Sequence, residues 1–201
     1  MTDPTSLPAQ AHHADGCPVA PRPDRELLPV ELVDAAGNAI GSRPVHEAHR
    51  APGARHRAFS VLIFDQHGRT LLQQRAFGKT RFPGRWSNTC CGHPEPGRAV
   101  DDAARQRLRE EMGLVVPLTE VGVYQYHAAD PHTGFVEYEW DHVLVGTFDD
   151  AVPAPDPSEV AAHRWVGLAD LQSEIQAHPS TFSPWLAGVL GVLDTDGSES
   201  R

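Results

Sequence analysis

Apolar and polar positions in the middle of the chain first predict β-structure. Residues 58–64 form an almost continuous apolar run, residues 65–68 carry turn-forming side chains, and residues 70–75 begin with Thr and two Leu. A short apolar run between turn signals is typical of a buried strand. The sequence therefore predicts a β-hairpin over 58–75 whose first strand is central in a sheet.

Other periodicities predict the remaining elements. Further strands are predicted at residues 28–33, 121–126, 135–148 and 159–165. Residues 99–112 repeat apolar side chains at helical spacing, and Gly113 is placed to end that helix. Gly and Pro interrupt residues 78–97, which predicts a loop. Residues 166–190 are predicted to be helical and broken by their two prolines.

The two ends of the chain differ in composition from its middle. Proline, alanine and histidine dominate residues 1–25, whose low apolar content predicts a disordered leader. Residues 193–201 are predicted to be a flexible tail. The intervening residues 26–192 are enough for one domain with a core of its own.

Composition narrows the class of partner. The chain has 17 Lys and Arg against 27 Asp and Glu, a formal net charge of −10, which argues against nucleic-acid and anionic-membrane partners. No apolar run approaches the roughly 20 residues that span a bilayer, and the N-terminus lacks a signal-peptide pattern. We therefore expect a cytoplasmic monomer. Its 3 cysteines, two of them adjacent, suggest reduced thiols rather than disulfides.

Residues 136–141 alternate acidic with bulky side chains. In a strand this places Glu137, Glu139 and Asp141 on one face. Glu137 and Glu139 would lie roughly 6 to 7 Å apart, so both carboxylates could bind one cation. A solvated strand face is the alternative, and this segment alone leaves both open.

Histidines are candidates for the remaining ligands of such a cation. His49 and His56 flank a predicted loop, and His93 follows Cys91 by two positions. Imidazole and carboxylate together suit a divalent transition metal. The chain has 12 histidines, however, so the sequence by itself does not show that these three converge.

Cys91 lies in a stretch where a turn could present its sulfur to a cleft. A thiol can act as an acid or a base when its pKa is tuned, although a buried inert cysteine is the alternative. A zinc finger built on residues 90–93 is excluded by spacing, because no second Cys/His pair follows at a suitable distance.

Positive charge gathers around the predicted loop and helix. Glu111 lies at the edge of the helix's buried stripe, four residues after Arg107, so its partner is either that guanidinium or a cation such as Mg²⁺ bound to phosphate oxygens. Arg75, Lys79 and Arg81 add cations that the acidic chain otherwise lacks. These groups predict a site for a small-molecule diphosphate.

Several motifs occur in a fixed order: RAFGK at 75–79, FPGRWSNTCCGHP at 82–94, LREEMG at 108–113, EYE at 137–139 and FSPW at 182–185. The second contains the pattern W-x-N-x-x-C-G-H-P, and the fourth contains E-x-E. In order and spacing, residues 28–190 resemble the metal-dependent isopentenyl-diphosphate delta-isomerases, a branch of the Nudix superfamily. The resemblance implies an α+β fold with a mixed β-sheet sandwiched between helices. It also implies that isopentenyl and dimethylallyl diphosphate are interconverted in isoprenoid biosynthesis.

The resemblance further assigns roles to individual residues. The ligands of one divalent metal, Mn²⁺ or Zn²⁺, would be His49, His56, His93, Glu137 and Glu139. Glu111 would hold a Mg²⁺ ion shared with the diphosphate, which would be bound by Arg75, Lys79 and Arg107. Proton transfer would fall to Cys91 and Glu139, with help from Tyr126. Trp185 would cover the reacting carbons, and Phe59 would line the same cleft.

Two departures from family patterns matter. The hydrolytic Nudix motif has Glu, Arg and Glu where this chain has Arg98, Gln106 and Arg107. The reversed charge at Arg107 favours an isomerase over the alternatives, a Nudix diphosphohydrolase or a non-catalytic metal-binding module. Val45 occupies a position where relatives place a basic substrate contact, and Arg43 is the nearby candidate to replace it.

Overall fold

The computed structural model describes residues 24–148 and 152–196 of the 201-residue chain. Its strands are β1 (Pro29–Val33), β2 (Ala39–Pro44), β3 (His56–Phe64), β4 (Arg69–Arg75), β5 (Trp86–Ser87), β6 (Cys90–Gly92), β7 (Thr119–Ala129), β8 (Val136–Thr147) and β9 (Val160–Gly167). Its α-helices are α1 (Val45–Ala48), α2 (Val100–Met112), α3 (Leu168–Ala177) and α4 (Leu186–Asp196). Short 3₁₀ turns occupy Arg25–Leu27 and Pro179–Thr181.

Strand β3 is the centre of a mixed sheet. It pairs in parallel with β8 over its whole length, and it meets β1, β6 and β4 in antiparallel fashion. Strand β7 extends the sheet beyond β8, and β9 extends it beyond β4. The apolar run that predicts a central strand is therefore confirmed.

Helices cover both faces of this sheet. Because side chains alternate along β3, Val61 and Ile63 pack beneath α2, whereas Leu62 packs on the opposite side with α3 and α4. Leu108 of α2 and Leu186 of α4 are fully buried, one in each of the two cores. The predicted mixed sheet between helices is confirmed. Among the described residues, no helix is both long and apolar enough to cross a membrane.

The predicted hairpin has an unexpected shape. Its turn forms as expected, but β3 and β4 share only the pair Phe64–Thr70 before they diverge. The segment predicted to be a loop fills the gap, since β5 pairs with β4 and β6 pairs with β3. Where the chain crosses between them, the Thr89 hydroxyl donates to Leu71 O at 2.6 Å and accepts from Ile63 N at 3.0 Å. The Gly- and Pro-rich composition predicts a loop, but the segment lies within the sheet. The Thr89 side chain makes hydrogen bonds there in place of those between β3 and β4.

Other boundaries also shift. The sequence pattern does not predict β2 or the short α1. Strand β9 extends through Gly167, into the region predicted to be helical. Helix α4 continues to Asp196, so the first part of the predicted tail is helical. Asp24 and Arg25 are ordered at the end of the predicted leader. The rest of that leader, residues 1–23, and residues 197–201 of the tail lie outside the described residues.

Candidate metal centre and catalytic cavity

Five predicted ligands converge into one buried histidine–glutamate cluster, formed by His49, His56, His93, Glu137 and Glu139. One potential ligand atom from each residue lies within 4.8 Å of every other. His49 ends α1, His56 begins β3, and His93 follows β6. The parallel register of β3 and β8 sets His56 beside Glu139. Tertiary pairing therefore brings together residues that are far apart in sequence.

Hydrogen bonding prepares this cluster for a cation. Nδ1 of His49 lies 2.7 Å from Val45 O, and Nδ1 of His56 lies 2.8 Å from Ala54 O. A carbonyl can only accept, so each Nδ1 carries the proton and each Nε2 presents a lone pair to the cluster. Within the described part of the chain, both Nε2 atoms and Glu137 Oε2 make no hydrogen bond, and His49 Nε2 lies 2.8 Å from Glu137 Oε2, so that one acceptor faces another. Buried acceptors that face one another fit a divalent metal ion.

Electrostatics in the cluster agree with that fit. Burial lowers the pKa of His93 to about 4, which leaves the imidazole neutral, as a ligand must be. Burial alone raises the pKa of Glu139, but interactions with His56 and His93 outweigh it and hold that pKa well below its usual value. At His49, burial lowers the pKa, yet the nearby Glu137 raises it overall. The Glu137 carboxylate thus favours positive charge at His49 Nε2, which either a proton or a metal ion supplies.

The acidic face of β8 points inward. Glu137, Glu139 and Asp141 are at most 8% exposed, whereas Tyr138 and Trp140 on the other face are only partly buried. A solvated acidic face is therefore not what the fold forms. Alternation along the strand predicts which side chains share a face, but tertiary packing decides which face is buried.

The adjacent cysteines face opposite sides of β6. Cys90 is fully buried in the core beneath α2, and Cys91 lines a cavity of about 550 Å³. Strand alternation explains the difference, because consecutive side chains point to opposite faces. Only Cys91 can therefore meet a molecule bound in the cavity.

The Cys91 thiol is held in a polar setting. Its Sγ donates to Asn88 Oδ1 at 3.1 Å and lies 3.7 Å from Ser60 Oγ, which donates to Asp141 Oδ2 at 2.7 Å. Burial first, and then the Asp141 carboxylate, raise the pKa of Cys91 to about 12. The raised pKa therefore favours a protonated sulfur at neutral pH.

Aromatic side chains line the cavity beside the carboxylate. The Tyr126 hydroxyl donates to Glu139 Oε2 at 2.6 Å, and its ring stacks on Trp185 with centroids 5.9 Å apart. The Arg75 guanidinium lies 5.6 Å from the Trp185 ring centroid, and Phe59 lines the same cavity. Predicted proton-transfer groups and predicted aromatic wall thus share one enclosure.

The predicted diphosphate contacts form a second group of charges, the arginine–glutamate cluster. Arg107 pairs with Glu111 and, at 2.8 Å, with Glu159. Lys79 pairs with Glu159 and lies 3.9 Å from Glu111 Oε1. Gln73 donates to the other oxygen of Glu111 at 3.1 Å. Both oxygens of Glu111 thus contact protein groups. Of the two partners that the sequence allows for Glu111, the structure shows Arg107 in contact with it.

Four charged side chains differ from expectation, and three of them line the cavity. Arg25 lines it and lies 3.2 Å from Glu110, although its segment was predicted to be disordered. Arg43 lies on exposed β2 and is not among the described lining residues. Glu159 was also missed, since no motif surrounds it. Arg81 bridges to Glu137 at 3.1 Å rather than standing free for an anion.

The fold and this site define a class. Residues 54–186 match the family model described as NUDIX domain. Among solved structures, DR0079 from Deinococcus radiodurans superimposes with a TM-score of 0.66 at 18% identity, covering 82% of this chain and 98% of that one. The MutT protein from Methanosarcina mazei Go1 gives 0.54 at 16% identity, covering 72% and 96%. These likenesses establish the NUDIX fold.

Curated relatives narrow the class further. An isopentenyl-diphosphate Delta-isomerase from Nocardia farcinica is 60% identical over 173 residues, covering 86% of this chain and 98% of the relative. Those from Halorhodospira halophila and Streptomyces griseus are each 46% identical, covering 78% and 92% of this chain and 89% and 90% of the relatives. The chain belongs to the isopentenyl-diphosphate Delta-isomerase family.

Proposed function

We propose that this protein interconverts isopentenyl diphosphate and dimethylallyl diphosphate by moving a proton on and off the carbon skeleton. One observation carries the proposal: the Cys91 thiol and the Glu139 carboxylate line the same cavity. An isomerisation of this kind needs one group that gives a proton and another that takes one. Their environments suit that division, because burial raises the pKa of Cys91, whereas His56 and His93 lower the pKa of Glu139.

The proposed isomerisation consists of two proton transfers. A proton added to the terminal alkene carbon leaves a tertiary cation at the branched carbon. The carbon bonded to the branched carbon on its diphosphate side then loses a proton, and the new double bond forms between these two carbons. We assign these transfers to Cys91 and Glu139, with Tyr126 adjusting the proton affinity of the carboxylate through its 2.6 Å hydrogen bond. Across a complete turnover no net proton is consumed.

The cationic intermediate needs a dry, electron-rich wall. Trp185 is 3% exposed and presents an indole between Tyr126 and Phe82. The negative face of an aromatic ring stabilises a nearby cation, most strongly when water is excluded. We therefore assign to Trp185 the stabilisation of charge at the branched carbon.

The diphosphate end would lie against Arg75, Lys79 and Arg107. All three line the cavity. Among the described contacts, Arg75 donates to the carbonyls of Arg81 and Phe82 rather than to a carboxylate, so its charge is available to an anion. Clamped phosphate oxygens would also restrain loss of diphosphate from the allylic product.

Metal ions fit beside these groups. The histidine–glutamate cluster would hold a divalent ion such as Mn²⁺ or Zn²⁺. Glu111 would hold Mg²⁺ only together with the diphosphate, whose oxygens would draw Arg107 and Lys79 away from its carboxylate. When bound, the ions supply positive charge that stabilises nearby carboxylate and phosphate oxygens. Glu139 belongs both to the cluster and to the proton-transfer pair, so its orientation would depend on its histidine neighbours.

A direct assay tests the function. The protein would be incubated with isopentenyl diphosphate and Mg²⁺, with and without a chelator, and the products followed by NMR and phosphate analysis. We expect dimethylallyl diphosphate, with the reaction stopped by chelation. Phosphate release without allylic product would instead identify a diphosphohydrolase, and bound metal without turnover would identify a metal-binding module.

The cysteine pair supplies an internal control. Cys91→Ala should reduce kcat by about 10³-fold or more, within the range of a lost general acid or base. Cys90→Ala should retain most turnover and cost about 1 kcal/mol of stability, because it changes only core packing. Equal loss of activity in two folded variants would refute the assignment of Cys91.

A further inference from the structure

We propose that Asn88 is a positioning residue that holds the Cys91 thiol and the Trp185 indole on a single oxygen atom. The proposal rests on the proposed function, because these two groups act on the substrate there. Asn88 is fully buried in the segment that crosses from β5 to β6. The sequence motif includes it, but no role follows from the motif alone.

One end of the Asn88 amide is anchored to the sheet. Nδ2 donates to Cys90 O at 2.8 Å and to Val61 O at 3.3 Å. Both acceptors are backbone carbonyls of paired strands, β6 and β3. Since carbonyls only accept, they fix which end of the amide carries the NH₂ group. The direction of Oδ1 is thereby set by the backbone itself.

The other end collects three donors. Oδ1 accepts from Trp185 Nε1 at 3.0 Å, from Cys91 Sγ at 3.1 Å and from Ser87 Oγ at 2.9 Å. Within a site that excludes water, no solvent molecule replaces a lost acceptor, so these donors are held in one arrangement. The thiol hydrogen points to Asn88, and the indole is fixed within its plane.

This oxygen connects the two sides of the cavity. Cys91 comes from β6, whereas Trp185 comes from the turn before α4. Trp185 stacks on Tyr126, which in turn donates to Glu139. The two proton-transfer groups are thus aligned through Asn88, the indole and the phenol. Without the Asn88 oxygen the thiol could rotate toward Ser60, 3.7 Å away, and the indole could turn from the substrate.

Kinetics of matched variants test the positioning. Asn88→Ala should lower kcat 10- to 100-fold, as expected when a reacting group is misplaced by about 1 Å. KM should change less than about threefold, because the diphosphate contacts remain. Asn38→Ala removes an exposed amide from the turn between β1 and β2, outside the cavity lining, and should keep kcat within about threefold of wild type. In Asn88→Ser the hydroxyl can still donate a hydrogen bond to a neighbouring carbonyl. This variant tests the positioning role if Asn88→Ala does not fold.

A spectroscopic measurement separates positioning from general disturbance. In ¹⁵N-labelled protein the indole N–H resonance of Trp185, assigned with Trp185→Phe, should shift upfield in Asn88→Ala or Asn88→Ser and stay in place in Asn38→Ala. A folded Asn88 variant with wild-type kcat, or with an unmoved indole resonance, would overturn the inference. If the wild-type protein has no isomerase activity, the proposed function fails while this resonance still tests the hydrogen bond.

Discussion

The two charge clusters of the cavity contain similar carboxylates but treat them differently. In the histidine–glutamate cluster, Nε2 lone pairs and carboxylate oxygens face one another, and three of these atoms have no hydrogen-bond partner among the described residues. In the arginine–glutamate cluster, Arg107, Lys79 and Gln73 already satisfy Glu111 and Glu159. In the first cluster Arg81 pairs with only one oxygen of Glu137, and imidazole nitrogens face the remaining carboxylate oxygens, whereas the second cluster pairs its carboxylates with its own Lys and Arg side chains.

This difference shows how a buried carboxylate should be interpreted. Burial alone marks neither a metal ligand nor a structural ion pair, because both kinds of group are inaccessible here. The atoms opposite the carboxylate decide: imidazole lone pairs invite a metal, whereas guanidinium and ammonium groups replace one. Arg107, which stands where hydrolytic relatives have Glu, is the residue that makes the second cluster self-sufficient.

The largest expected effect lies in the first cluster. Glu139→Gln should reduce kcat by about 10⁴-fold, the upper end of a lost general acid or base, because the amide can neither accept the proton nor serve as an anionic ligand. Glu120→Gln, on the exposed edge of β7, is the matched control and should leave kcat unchanged. Steady-state assays with isopentenyl diphosphate measure both. Substantial residual turnover in a folded Glu139→Gln protein would count against its role.

The second cluster should dominate stability rather than metal binding. Arg107→Met leaves the buried Glu111 and Glu159 without their guanidinium and should cost about 3 to 5 kcal/mol of unfolding free energy. Arg105→Met on the same helix removes only exposed pairs with Asp101 and Asp102, and should cost less than about 1 kcal/mol. Urea denaturation of both variants makes the comparison. Equal costs would mean that the buried network contributes no more than a surface pair.

Metal binding should separate the clusters most directly. At a free Mn²⁺ or Zn²⁺ concentration 100 times its Kd, the wild-type protein should gain about 2.7 kcal/mol of stability by linkage. Glu111→Gln should gain the same amount in the absence of diphosphate, whereas His49→Asn should gain little. Thermal denaturation and elemental analysis of dialysed samples measure this. Loss of metal in Glu111→Gln would show that the clusters are not distinct.

The sequence predicts secondary structure best where the pattern is local. The apolar run at 58–64 predicts the central strand, and the spacing over 99–112 predicts α2, because each periodicity is a direct consequence of backbone geometry. The alternation at 136–141 likewise places its acids on one face. The family motif supplies the candidate residues, which the fold then brings together around one cavity.

Predictions from the sequence are wrong or absent where a tertiary contact determines the structure. Glycine and proline around β5 and β6 resemble a loop, yet the segment inserts between diverging strands and is held by the Thr89 hydroxyl. No local signal marks Glu159 as a partner of Arg107, or Arg25 as part of the cavity. Nor does a strand pattern predict whether its acidic face is buried, since that depends on which elements pack against each face.

The smallest expected effect concerns acid sensitivity of the second cluster. Burial raises the pKa of Glu159, but Lys79 and Arg107 outweigh it and lower that pKa from 4.5 to about 2. Because the folded pKa lies below the unfolded one, this carboxylate stabilises the fold fully above about pH 4.5, and that contribution is lost as pH falls toward 2.

Glu159→Gln should therefore cost about 1 to 2 kcal/mol at pH 7, a value reduced for its partial exposure, and progressively less below pH 4.5. Glu174→Gln removes an exposed pair with Arg164 and should cost less than about 1 kcal/mol at either pH. Urea denaturation at pH 7 and pH 3 gives the differences. A cost for Glu159→Gln that does not change with pH would indicate lost packing instead of lost charge. The arginine–glutamate cluster would then owe its stability to shape more than to electrostatic compensation.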